Sequence, residues 1–205
     1  MITTPYDKVA DRFEGARTGL RPKEEAYLGL LLSPLPIGST VLDLGCGTGN
    51  PIATYIASRG HKVVGVDGSD AMLAIARKRL SGHRWIHDLI ERVEFDETFG
   101  AVICWDSLFH LPRDHHQSVI RKAHRWLIPG GRLMVSSGGL VDEKGIGFTD
   151  NMFGQEFFYD SLSPDQMVMM VRQTGFDIVL AEMCDQPTGG RDKGKWVTIA
   201  SKLAS

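Results

Sequence analysis

Short apolar runs alternate with amphipathic stretches along this chain. Val41–Leu44, Lys62–Asp67 and Ala101–Trp105 are near-continuous apolar runs, the pattern of strands buried on both faces. Arg84–His87 and Arg132–Ser137 read as two further strands. Between them, Ile52–Ser58, Asp70–Leu80 and Asp114–Trp126 carry helical spacing. Arg59-Gly60 is a helix stop, Ser69 or Asp70 a helix cap, and Pro129-Gly130-Gly131 a break. Upstream, Pro5–Gly15 and Glu24–Leu32 predict two helices, set off from the first strand by the sequence PLPIGS. Downstream, Ser163–Thr174 predicts a helix opened by a cap and by Pro164 at its first position. Phe176–Met183 and Lys195–Ser201 close the chain as two strands able to pair antiparallel.

This alternation predicts an α/β fold, a parallel sheet with helices on both faces. In such a sheet ligands bind beyond the carboxyl ends of the strands. Four segments therefore carry the candidate chemistry: Gly45–Asn50, Asp67–Asp70, His87-Asp88 and Trp105–His110.

The first of them reads GCGTGNP, with Gly45, Gly47 and Gly49 at alternate positions. Glycine lets backbone approach a ligand or take positive φ. Asn50 is a candidate helix cap and Pro51 suits the first helical turn. The spacing is G-x-G-x-G, not the G-x-G-x-x-G of dinucleotide binders. The second strand ends in Asp67, about 20 positions beyond Gly45, where a carboxylate can accept both ribose hydroxyls. A nucleoside ligand fits both features.

Composition narrows the class. The chain has 205 residues, 42% hydrophobic and 23% charged, which fits one globular domain spanning residues 1–205. Its net charge of −2 gives no broad attraction to nucleic acid or to anionic membranes. Cys46, Cys104 and Cys184 form no zinc spacing, so no metal is expected. With no apolar leader and no run near the ~20 residues of a membrane helix, reduced thiols point to the cytoplasm.

The stretches VLDLGCGTGN, VVGVDGSDAMLAIAR, HDL, FGAVICWDSLFHL and LIPGGRLMVSS jointly resemble the class I S-adenosylmethionine-dependent methyltransferase family, from about Val41 to Ser137. The resemblance implies a Rossmann-like sheet of seven strands, mostly parallel, with one antiparallel strand near the C-terminus. It implies S-adenosylmethionine as cofactor, S-adenosylhomocysteine as product, and methyl transfer by in-line displacement. Asp43, Gly45, Cys46, Gly47 and Gly49 would hold the methionyl portion and Asp67 the ribose. Gly68, Met72, His87, Asp88 and Leu89 would surround the adenine. His87 and Leu89 stand where the family more often has glycine and alanine.

Trp105 would lie beside the sulfonium, where an aromatic face gains ~0.5–2 kcal/mol from a nearby cation. Asp106 and His110 are the candidate bases, because an unperturbed imidazole titrates near pH ~6.5. His115 and His116 are expected on a solvated helix. Residues 1–35 are expected to form a helical lid, with Tyr6 on the cofactor and Arg17 on the cofactor or the acceptor. The irregular stretch 138–162 is expected to build the acceptor pocket, with Phe109, Met152, Phe153 and Tyr159 as substrate contacts and Asp142, Glu143 and Lys144 nearby.

The expected acceptor is a small molecule methylated on O or N, with the protein a monomer or homodimer. A nucleic-acid or protein substrate is the alternative, although no basic patch and no Asn/Asp-Pro-Pro-aromatic motif follows the fourth strand. A non-catalytic S-adenosylmethionine-binding protein is the other.

Overall fold

The computed structural model describes residues 2–138, 147–188 and 194–203. Seven strands form one sheet: β1 (Thr40–Leu44), β2 (Lys62–Asp67), β3 (Arg84–His87), β4 (Phe99–Cys104), β5 (Leu127–Gly138), β8 (Phe176–Asp185) and β9 (Lys195–Lys202). Their order is β3-β2-β1-β4-β5-β9-β8. The first five run parallel, and β9 is antiparallel to both β5 and β8. The order reverses between β1 and β4, and at such a switch point strand tips diverge and leave a crevice.

Helices α2 (Pro22–Leu32) and α3 (Ile52–Ser58) cover one face, and α5 (Arg113–Trp126) and α6 (Pro164–Gln173) the other. The apolar alternation of β1 is split between them. Leu42 and Leu44 join the core with Ile120 and Trp126, whereas Val41 packs with Leu28, Leu31 and Ile56. Each fully buried aliphatic side chain contributes about 1.5–3 kcal/mol relative to exposure. Helix α4 (Asp70–Arg79) starts where expected, with Ser69 Oγ accepting from the Met72 amide at 3.2 Å. Ser163 caps α6 in the same way, accepting from Gln166 N.

Several boundaries differ from expectation. The first predicted helix is two pieces: a 3₁₀ turn over Pro5–Lys8 and α1 (Ala10–Ala16). The break follows from Asp7, whose carboxylate accepts from Thr4 N, Ser69 Oγ and Ala71 N and so holds the turn against α4. Strand β5 begins at Leu127, well before Arg132. A bulge opposite Phe99–Ala101 accommodates Pro129-Gly130-Gly131, and Gly130 sits at φ 76°. Asn50 does not cap α3; its amide donates to the Arg17 carbonyl at 2.9 Å, and the Asn50–Pro51 bond is cis. His116 is buried, with Nε2 donating to the Leu111 carbonyl, although its position suggested a solvated helix face.

The stretch expected to be irregular contains a hairpin, β6 (Phe148–Met152) and β7 (Gln155–Tyr159). Its two-residue turn is Phe153-Gly154, with φ 55° and 81°. Positive φ at both positions is the turn that matches strand twist. Phenylalanine in place of the usual asparagine or aspartate hid it in the sequence. Residues 139–146 of that stretch, with Asp142, Glu143 and Lys144, lie outside the described residues.

The three cysteines are free and buried. Among the described residues, no helix is long and apolar enough to cross a membrane, and no group of acidic, histidine and cysteine side chains could hold a metal.

Candidate active site

The tips of β1, β2 and β4 open on a cavity of about 590 Å³, roofed by the N-terminal turn, α1 and the β6–β7 hairpin. The glycine loop forms its floor. Gly45 (φ 80°) donates its amide to the Val66 carbonyl at 2.7 Å. Asp67, at the end of β2, accepts from the amides of Gly47 and Ser69, both at 2.8 Å. Two backbone donors thus fix the carboxylate across the loop. Burial nonetheless pushes its pKa up to about 6. Asp43 on β1 is pushed up to about 7 by burial, with the charge of Asp67 adding to the effect. The Cys46 thiol is also raised by burial, so it is no nucleophile.

Asp43, Gly45, Cys46, Gly47 and Asp67 all line the cavity, as do Gly68, Met72, Leu89 and Trp105. At Gly68 an added Cβ would meet Thr4 and Leu89 at 2.9 and 3.0 Å, so a narrow slot exists only because the residue is glycine. The floor therefore fits a flat, nucleoside-like group beside a paired-hydroxyl acceptor.

Other expected cofactor residues point elsewhere. Gly49 makes room for protein, since a Cβ there would lie 3.1 Å from the Trp85 ring. His87 donates Nε2–H to the Gly68 carbonyl at 3.1 Å and is not on the cavity wall. The Asp88 carboxylate accepts from the neighbouring Leu89 amide and lies 3.9 Å from Arg92, also off the wall. Arg17 lines the cavity and pairs with the buried Glu24 at 3.0 Å. The two guanidiniums of Arg17 and Arg21, together with the Arg21 amide, hold Glu24 below the usual carboxylate range despite its burial.

The far end of the cavity is aromatic. Phe109 stacks on Tyr159 with centroids 5.8 Å apart, and Tyr6 lies 4.7 Å from Phe157. Met152 and Tyr159 line this chamber. Phe153 does not; it sits at the exposed hairpin tip, where its carbonyl accepts from Arg12 at 3.2 Å. His110, on a 3₁₀ turn over Leu108–His110, bonds Tyr6 Oη through Nε2 and the Phe158 carbonyl through Nδ1, both at 2.8 Å. Burial lowers its pKa, so the ring is neutral near pH ~7.

Lys195 completes the wall and was not foreseen. Its Nζ lies 2.7 Å from Asp106 Oδ2 and 5.1 Å from the Trp105 ring centre. One face of Trp105 therefore already carries a cation. Asp106 sits at φ 51°, its amide donating to Ser136 Oγ at 2.8 Å. A signal for Lys195 did exist. An antiparallel strand begins at the edge where its parallel neighbours end, so the first residue of β9 belongs to the ligand side.

A family model described as "Methyltransferase domain" matches residues 41–131. The chain is 39% identical over 106 residues to a ubiquinone biosynthesis O-methyltransferase of Pseudomonas paraeruginosa, covering 49% of this chain and 44% of that protein. It is 37% identical over 127 residues to a trans-aconitate 2-methyltransferase of Variovorax paradoxus, covering 60% and 46%. The chain thus spans less than half the length of these two curated relatives. In structure it resembles the CcbJ methyltransferase of Streptomyces caelestis, with a TM-score of 0.74 at 19% identity over 100% of both chains, a likeness of fold. The matched segment, the β3-β2-β1-β4-β5-β9-β8 order and the loop-plus-Asp67 floor agree with one another: residues 41–131 match a methyltransferase domain, set in a fold shared with a solved methyltransferase.

Proposed function

We propose that the protein transfers the methyl group of S-adenosylmethionine to an O or N atom of a small-molecule acceptor. One observation carries this reading: the nucleoside floor and the aromatic chamber are two ends of a single cavity. When bound, the cofactor supplies a methyl group already activated on a sulfonium sulfur. Asp67, held by Gly47 and Ser69, would take the ribose hydroxyls. Asp43 and the loop backbone would face the ammonium, and Arg17 the carboxylate. Gly68, Met72 and Leu89 would bracket the base.

Most of the rate then comes from holding two reactants in line, for which effective molarities reach ~10⁵–10⁸ M. The roof excludes water and the aromatic wall orients the acceptor. That wall, with few polar groups, suits a small organic molecule better than a polymer. The names of the two curated relatives, a ubiquinone-pathway and a trans-aconitate methyltransferase, favour the same acceptor class.

The test is calorimetry with S-adenosylhomocysteine, followed by a release assay for that product across small metabolites. Binding with turnover on a metabolite supports the reading. Absence of binding would remove it, and binding with turnover only on nucleic acid or protein would replace the acceptor class.

A further inference from the structure

His110 has no free nitrogen. The Phe158 carbonyl can only accept, so Nδ1, 2.8 Å away, carries the ring proton. In the neutral ring Nε2 then holds a lone pair, and the contact at 2.8 Å is Tyr6 Oη–H donating to it. Aromatic rings pack around it: Phe109, Tyr159 and Phe157 lie with centroids 4.8, 4.9 and 5.9 Å from the imidazole. An acceptor in the chamber cannot hydrogen-bond His110 Nε2 without displacing Tyr6. It can reach Tyr6 Oη, which spends its proton on Nε2 and keeps lone pairs for a second donor.

Resting on the methyltransferase reading, we propose that Tyr6 is the catalytic residue that receives the acceptor's proton, with His110 behind it as the store, and that the acceptor is a neutral hydroxyl compound of phenolic or alcoholic type. The balance is as follows. The acceptor O–H bond breaks and its proton moves to Tyr6 Oη as the Tyr6 proton moves to His110 Nε2. The freed oxygen pair forms the O–CH₃ bond, and the S–CH₃ bonding pair returns to sulfur, leaving a thioether. The positive charge passes from sulfur to the imidazolium, whose Nδ1–H still donates to Phe158. Solvent takes that proton after product leaves.

The surroundings suit a relay more than a resident base. Burial raises the Tyr6 pKa, so a standing phenolate is disfavoured, whereas a proton passing through leaves no charge on the ring. Burial keeps His110 neutral and ready. The titratable groups facing this pair are Tyr159 from β7, Asp67 from β2, and Asp106, the last ion-paired with Lys195 from β9. Asp106 Oδ2 is already engaged by the Lys195 ammonium at 2.7 Å.

Two measurements test this on the full chain saturated with S-adenosylhomocysteine. In nitrogen NMR of the histidines, His110 should show a protonated Nδ1 and a bare, hydrogen-bonded Nε2. Tyr6→Phe should shift Nε2 and leave the Nδ1 proton in place. An Nε2–H tautomer, or an Nε2 signal indifferent to Tyr6→Phe, overturns the relay. In turnover, an unsubstituted phenol and a nitrophenol already ionised at mildly alkaline pH serve as probes, beside the aliphatic alcohols of the release assay. Tyr6→Phe and His110→Asn should each lower kcat on the protonated hydroxyl by about 100-fold, while the ionised phenol changes by less than about threefold. Equal losses on both probes overturn the relay. Product from amines or carboxylates only, with no hydroxyl compound methylated, overturns the acceptor class. Loss of S-adenosylhomocysteine binding by the unaltered protein strikes the methyltransferase reading instead.

Discussion

Gly45 and Ser107 occupy adjoining space: a Cβ placed on Gly45 would lie 2.2 Å from Ser107 Cβ. Ser107 cannot retreat freely, because its hydroxyl donates to the Leu44 carbonyl at 2.7 Å and the residue is buried. Gly45 also sits at φ 80°. Gly45→Ala therefore meets two penalties, a collision and a strained backbone worth ~1–3 kcal/mol by itself. We expect a total loss of about 2–4 kcal/mol in urea denaturation. Adding Ser107→Gly should recover the collision share only. Full recovery in the double variant would show that φ strain is unimportant there.

Asp43 and Asp67 make stability depend on pH in a particular direction. Both are raised, to about 7 and about 6, above the ordinary value of 3.8. A raised pKa means the folded state holds its proton more tightly than the unfolded chain. That contribution is complete below about pH 4 and fades as pH rises through the folded values. Asp43→Asn removes the Asp43 share. The wild type should thus lose stability relative to Asp43→Asn between about pH 4 and pH 7, read from paired denaturation midpoints. A difference that stays flat, or grows in favour of the wild type, contradicts the burial of a protonated Asp43.

The Asp106–Lys195 pair predicts an asymmetry between its two single variants. Lys195→Met leaves a partly buried carboxylate without its cation and should cost about 1–2 kcal/mol in stability. Asp106→Asn keeps a hydrogen-bonding shape and should cost less. The double variant should lie nearer to wild type than the sum of the singles. Additive losses in a double-mutant cycle would mean that the 2.7 Å contact carries little energy.

Asp7 fastens the roof. One carboxylate accepts from Thr4 N, Ser69 Oγ and Ala71 N, joining the N-terminal turn to the start of α4. Asp7→Ala should leave global stability nearly unchanged, because little core is involved. Dissociation of S-adenosylhomocysteine should accelerate by about tenfold, about 1.4 kcal/mol, since a capping interaction is lost on the covering segment. Stopped-flow displacement reads this directly. An unchanged off-rate would mean that the turn does not hold the ligand in.

The sheet was legible because buried parallel strands leave apolar runs and tight strand–helix turns leave glycines. Asp67 was legible for the same local reason, as the last residue of such a run. What escaped depends on contacts distant in sequence. Gly49 serves Trp85, 36 residues on, rather than a ligand. The tautomer of His110 is set by a carbonyl on β7, and the ion pair of Asp106 by a lysine on β9. The β6–β7 turn was hidden because Phe153 holds a positive φ that its residue type seldom adopts. Local pattern carries the scaffold; the proton inventory of the chamber needs three dimensions.

The floor and the roof of the cavity have different origins along the chain. Floor residues fall within 41–131, the span that matches the methyltransferase-domain model, whereas Tyr6, Arg17, Met152, Tyr159 and Lys195 all lie outside it. On the proposed function, the acceptor end of the cavity is thus built largely from segments outside the matched span, and the donor end largely from within it. Grafting residues 1–35 and 147–161 between relatives is the corresponding engineering route to a new product.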